Sequence, residues 1–271
     1  MRLKSALRRG VAAAVIAGIV VSSGIPAYAG TWDIADGDIT VKAGDAEGPN
    51  NVKQGDNDFV KDEGDTVITG KSDEHTVTID TSEGNVDVTF DDLKIDVSGK
   101  AEVDGSGDSP VDAGKAAVTV QGDHDATIEL DGDNELKSGS YNAGLEKNEH
   151  ESEGTLTIKD DKGKDGSLTA EGGEGGGAGI GDGAYRASDD TDDPNPGKLY
   201  ICGDAEVTAK AGSQMMTDAK VPAIGGTYGE VPTESLSDAD HKVTGGRLTR
   251  YGPDGTVMEG MGYDYTSTPK P

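Results

Sequence analysis

Carboxylates two residues apart recur along the chain: Asp36-Gly-Asp38, Asp56-Asn-Asp58, Asp123-His-Asp125 and Asp131-Gly-Asp133, the last followed by Asn134. On a strand such pairs point to one face, and at a bend they can wrap one ion. Calcium takes hard oxygen ligands, carboxylates and carboxamides among them, so Asp123, Asp125, Asp131, Asp133 and Asn134 are the candidate calcium ligands. None of the pairs completes an EF-hand. In the run that begins at Asp131, Leu136 stands where the loop glycine belongs and Asn142 where the terminal glutamate belongs. For any single pair the competing reading is a solvated turn, because the chain holds 52 Asp and Glu residues.

Other chemistry finds less support. Asp91-Asp92 and Asp192-Asp193 are weak signs of a glycosidase pair in so acidic a sequence. A polysaccharide lyase needs a basic proton abstractor, and beyond the first thirty residues the arginines are Arg186, Arg247 and Arg250. His75, His124, His150 and His241 have no HxxxH zinc spacing. The glycine-rich run from Gly172 to Gly183 is followed by no Gly-Lys-Ser/Thr, which removes a phosphate loop of the Walker type. Laid on a calcium β-roll repeat, the same run puts Gly181 at the aspartate position and Asp182 one place late. Its Gly and Ala residues suit a crowded corner where backbones approach closely and φ turns positive.

Residues 1–29 read as a cleaved export signal. Arg2, Lys4, Arg8 and Arg9 precede the apolar run Val11 to Val21, and Ala27-Tyr28-Ala29 forms an A-x-A cleavage site. That run is shorter than the roughly 20 residues a bilayer-spanning helix needs. The expected address is secreted or cell-surface through the general secretory route, with no membrane insertion after cleavage. No LPxTG-type motif is present to support covalent wall anchoring. The net charge of −28 disfavours nucleic acid and anionic lipid and attracts divalent cations. With Cys202 the single cysteine, no intrachain disulfide can form, and its place in the alternating run Leu199-Tyr-Ile-Cys202 marks it as a buried or half-buried small residue.

Hydrophobic residues make up 32% of the chain and aromatics 4%, with 42 glycines, a composition near that of disordered proteins. The apolar residues are nonetheless ordered into short alternating runs. Strands are expected at Thr66 to Thr69, Thr76 to Ile79, Val86 to Phe90, Leu93 to Val97, Ala117 to Val120 and Ala126 to Leu130, and no sustained 3.6 period argues for a substantial helix. Residues 42–64 read as a loop, and Thr31 to Val41 as an opening strand or cap without a repeat partner. A phrase of strand, turn, strand and small-residue corner recurs three times, closing at Ala143-Gly144-Leu145, Ala178-Gly179-Ile180-Gly181 and Ala223-Ile224-Gly225-Gly226. Its expected product is an all-β chain coiled as a right-handed parallel β-helix over residues 30–250, with a capping N-terminal strand and an irregular tail over 251–271. The acidic stretch 187–196 interrupts the repeat and is expected to protrude.

The tract GTLTI…GSLTAEGG…GAGIG, preceded by ATIELDGDNEL…AGL and followed by VTAKAG…AIGG, resembles exported β-helix proteins of Gram-positive bacteria classed as carbohydrate-binding domain-containing. The resemblance runs from about Thr31 to Gly226. It implies a pectate-lyase-like shape, calcium in the structure, and non-catalytic binding of a plant-type or acidic polysaccharide by a monomer. A structural or adhesin-like surface protein without a glycan ligand is the second reading, and a polysaccharide lyase or hydrolase the third.

Overall fold

Runs of Val, Ile, Leu and Thr with a period of two place one set of side chains inward and the next outward, which is the pattern of half-buried strands. The computed structural model describes residues 30–45, 48–99, 101–102, 113–147, 154–163, 165–183, 198–213, 221, 223–225 and 241–257. The expected export signal, the acidic stretch 187–196 and the tail beyond Val257 lie outside these residues. In chain order the strands are β1 (Thr31–Asp33), β2 (Ile39–Lys42), β3 (Asn51–Gln54), β4 (Val60–Lys61), β5 (Thr66–Ser72), β6 (Val77–Asp80) and β7 (Val86–Asp96). They continue with β8 (Ala101–Glu102), β9 (Ala113–Gly114), β10 (Val118–Gln121), β11 (Ala126–Asp131), β12 (Asp133–Lys137), β13 (Leu145–Glu146) and β14 (Thr155–Asp160). The last are β15 (Ser167–Glu171), β16 (Ile180–Gly181), β17 (Lys198–Gly203), β18 (Glu206–Lys210), β19 (Ile224–Gly225), β20 (His241–Thr244) and β21 (Arg247–Tyr251). One 3-10 turn, Ile34–Asp36, accompanies them, and the described residues contain no α-helix.

The chain is therefore all-β, and its two large sheets are built mainly from parallel pairs. A first ladder runs β1-β5-β7-β11-β14-β17-β20 and a second β5-β7-β12-β15-β18-β21; β5 and β7 belong to both, joining them into one 11-stranded sheet. A third ladder runs β2-β6-β10-β13-β16-β19 in the 8-stranded sheet. Three differences from the sequence expectation appear at the N-terminal end. Residues 42–64 contain β3 and β4, which extend β2 by antiparallel pairing. Strands β1 and β2 do have repeat partners, pairing in parallel with β5 and β6. The two strands expected at 86–90 and 93–97 are one 11-residue strand that turns the corner without a break.

Register sets the core. Val88, Ile128, Ile158, Ile201 and Val243 stack on the first ladder, and Ile39, Val77, Val118, Leu145, Ile180 and Ile224 on the third. All are buried, so few aromatics are needed to fill the narrow interior. Between the first and second ladders each pass bends through a residue with positive φ: Gly70 (92°), Asp92 (52°), Gly132 (69°), Gly163 (83°), Gly203 (66°) and Gly245 (92°). Aspartate tolerates this conformation better than most residues. Asp92 adds a bond of its own, its Oδ1 accepting the Asp133 N–H at 3.0 Å. A Cβ placed on Gly132 would meet that carboxylate. The small-residue phrase is the other corner. A Cβ on Gly144 would meet the backbone of Ala170 and Glu171, and one on Gly179 the backbone of Ala209 and Lys210. There the start of the third ladder presses against the end of the second.

Four acids are buried among the described residues: Asp62, Glu129, Glu146 and Asp160. Asp160 follows Leu156 and Ile158 on the inward phase of β14, and its Oδ2 accepts the Gly166 N–H at 2.7 Å. Burial, and then the nearby carboxylates of Glu129, Asp165 and Asp204, hold its pKa above the ordinary value. A folded-state pKa above the unfolded one favours the fold below the unfolded pKa, and this contribution is lost as pH rises through the folded value.

Two expectations follow from these corners and this acid. Gly132→Ala should lower the urea-unfolding free energy by about 1–2 kcal/mol or more, whereas Asp92→Gly, which relieves the positive φ and gives up the bond to the Asp133 N–H, should cost about 1 kcal/mol. Equal small effects of both would contradict the steric account. Asp160→Asn should flatten the fall in stability as pH rises above the ordinary aspartate range, measured by denaturant midpoints; an unchanged pH profile would contradict it.

Candidate functional site

The five sequence-predicted calcium ligands fall at two ends of one strand. Asp123 and Asp125 precede β11, and Asp131, Asp133 and Asn134 surround the corner after it. At about 3.3 Å per residue the six-residue strand separates the two groups by roughly 20 Å, too far to share an ion. Asp125 Oδ1 accepts the Thr155 N–H of the next pass at 2.7 Å, and Asp133 Oδ1 accepts the Ser167 hydroxyl at 3.0 Å. Asp131 lies against Gly163. Asn134 is buried and faces inward, in register with Leu168, Val207 and Leu248. Its Oδ1 accepts the Leu93 N–H at 2.9 Å while its Nδ2 donates to the Ser167 carbonyl at 3.1 Å. That carboxamide completes the backbone pairing that the corner at Gly132 interrupts. Among the described residues no three His, Cys, Asp or Glu side chains converge on a common point. The five residues do not fit one calcium site.

A different set of side chains does converge. On the outer face of the second ladder, Glu135 pairs in register with Lys94 and Thr169, and Lys137 with Asp96 and Glu171. Further along, Thr208 follows Thr169, Lys210 follows Glu171, and Thr249 and Tyr251 continue the two rows. This face carries an open groove of about 650 Å³ whose lining includes Lys71, Lys94, Lys137 and Lys210 together with Glu135 and Glu171. Four cations from four passes thus meet in one groove of a chain with a net charge of −28.

The charges are ordered by the stack. Neighbouring strands lie about 4.8 Å apart, so like charges at one register position repel. Lys94 Nζ donates to Glu135 Oε1 at 2.8 Å, and this bond raises the lysine pKa. Glu171 lies between Lys137, at 3.4 Å, and Lys210, at 3.8 Å. At the groove's margin the Ser98 hydroxyl donates to Asp96 at 2.6 Å and holds that carboxyl below its usual range. Lys71 makes no ion pair with any described residue, and its side chain is exposed. The centre of the face, Thr169-Thr208-Thr249, is neutral and carries hydroxyls.

These lysines escape a reading that looks for local motifs, since no two of them are close in sequence. Aligning the passes on their corners exposes them: Lys94-x-Asp96, Glu135-x-Lys137, Thr169-x-Glu171 and Thr208-x-Lys210 occupy equivalent positions. Elsewhere, Cys202 is half-buried and its thiol pKa is raised by burial, as an unreactive packing residue requires.

Replacing Asn134 by leucine should remove about 1–3 kcal/mol of stability, because the Leu93 N–H and Ser167 carbonyl lose their partner in the interior. The loss should be the same in calcium and in chelator by chemical denaturation; a loss seen only with calcium would make Asn134 a ligand after all. The chain matches no protein-family model, and comparison with curated proteins and with solved structures finds no match.

Proposed function

We propose that this is a secreted or cell-surface, non-catalytic polysaccharide-binding protein, and that its passes coil as a right-handed parallel β-helix presenting the lysine-lined groove to the polymer. The parallel ladders, repeated corners and pass length support that coil, with handedness following the general rule for parallel crossovers. The observation that carries the binding reading is the groove itself, in which lysines, carboxylates and threonine hydroxyls from successive passes stand in register along one face. An enclosed pocket suits a small ligand, whereas an open face with a repeating set of donors and acceptors suits a linear polymer with repeating hydroxyls and carboxylates. The lysines supply direct contacts to acidic units, and Tyr251 at the end of one row offers an apolar ring face to a sugar. The export signal and the resemblance to carbohydrate-binding β-helix proteins point the same way. The direct contacts in this reading come from the groove's side chains and not from the five candidate calcium ligands, which stand at separate bends.

Affinity electrophoresis against polygalacturonate and neutral plant glycans, in calcium and in chelator, tests the reading. The protein should be retarded by at least one acidic polymer, and Lys137→Ala with Lys210→Ala should weaken that retention about tenfold, near 1.4 kcal/mol. Retention that vanishes in chelator would return calcium to the mechanism. Negligible retention on every polymer in both conditions would leave an adhesin-like role instead.

A further inference from the structure

The last described strand carries a charge where the four preceding passes carry an aliphatic side chain. Along the inward row of the second ladder, Ile95, Leu136, Ala170 and Ala209 are succeeded by Arg250. The residues on either side, Thr249 and Tyr251, face outward, so alternation turns Arg250 into the interior together with Leu248. Arg250 is 5% exposed. The two alanines before it leave the width into which its long stem packs.

One edge of its head group lacks partners among the described residues: Nε and Nη2 are buried and neither donates to a described group. These two nitrogens form one edge of the planar guanidinium, the edge whose paired N–H groups match both oxygens of a carboxylate. Burial lowers the pKa to about 10, which leaves the group charged at neutral pH. A buried cation without a counter-charge is strongly disfavoured. Two parallel donors, one fixed charge and a dry surround specify a planar, bidentate, singly charged acceptor. Chloride has the single charge but offers one spherical centre to the two donors, and sulfate carries two charges.

We infer that the Nε–Nη2 edge of Arg250 is a receptor for one carboxylate group at the C-terminal end of the coil's interior. The carboxylate can come from a small organic acid in solution or from an acidic side chain of the protein itself, and the chemistry of recognition is the same. Binding closes the open end of the interior electrically, as the β3–β4 meander extends the other end with backbone pairing. This inference is independent of the glycan groove, which lies on the outer face.

Thermal unfolding of the whole protein at pH 7 separates the sources, with acetate varied over about a hundredfold range against chloride at constant ionic strength. A solution carboxylate predicts a midpoint that rises with acetate and not with chloride in the wild type, and is flat in Arg250→Met and Arg250→Lys. A carboxylate of the protein's own predicts no acetate dependence and a lower midpoint in both variants. Should either variant fail to fold, the Arg250 Nε–H resonance of the wild type gives the same answer by NMR. It should be shifted downfield and exchange slowly with water, unlike that of exposed Arg247. An Arg250→Met protein as stable as wild type with no acetate dependence would overturn the inference. So would Arg250→Lys behaving as wild type, or an Arg250 Nε–H that exchanges as fast as that of Arg247.

Discussion

Each pass of this chain must turn where the first ladder becomes the second, and the turn requires a residue with left-handed backbone geometry. Five of the six described corners use glycine and the sixth uses Asp92, the kind of residue for which that geometry costs least. Because the passes stack in parallel, each corner sits against the one before it. Asp33 lies over Gly70, Asp92 over Gly132 and Asp131 over Gly163, so an aspartate from one pass covers the glycine of the next. Several aspartates that resemble metal ligands in sequence are thereby engaged in packing and in backbone bonds. The second constraint, close approach at Gly144 and Gly179, brings the third ladder against the second. Together the two corners fix register, and register decides which side chains meet.

Parallel stacking also disciplines charge. Equivalent positions are about 4.8 Å apart, so a row of identical ions would repel along its length. Beyond the like-charged neighbours Lys71 and Lys94, the outer face of the second ladder limits this by alternating sign: Lys94 meets Glu135, Glu171 bridges Lys137 and Lys210, and Glu206 meets Arg247. On the first ladder Lys159 meets Glu129 at 3.4 Å. Individually such surface pairs contribute little, about 0–1 kcal/mol. Their larger effect is positional, since they hold long side chains along the groove. In the interior the same stacking tolerates few polar groups. Asn134 bonds to the backbone above and below, Asp160 accepts the Gly166 N–H, and Arg250 has one edge without a partner among the described residues.

The elements of the fold were legible because their signals are local. Alternation located most strands, and the recurring small-residue phrase located a corner of crowded backbone. What stayed hidden was pairing. The antiparallel β3 and β4 sit in a Gly-, Asn- and Asp-rich stretch with weak alternation, and β7 passes its corner without a glycine to mark it. The Asp-x-Asp pairs were conspicuous in sequence and belong to separate bends. The groove lysines, spaced tens of residues apart, become neighbours only after the passes are aligned. Asn134 looked like a ligand beside Asp133 because only register shows that it faces an aliphatic row.

The account depends on one continuous outer row through Lys71, Lys94, Glu135, Thr169, Thr208 and Thr249. Spin labels at positions 71 and 249, in a protein with Cys202 replaced by serine, measure it directly by pulsed dipolar spectroscopy. Five inter-strand steps of about 4.8 Å predict a narrow distribution centred near 24 Å between the label-bearing backbones. A broad distribution, or a separation well above this, would contradict the in-register stack on which the groove and the core both rest.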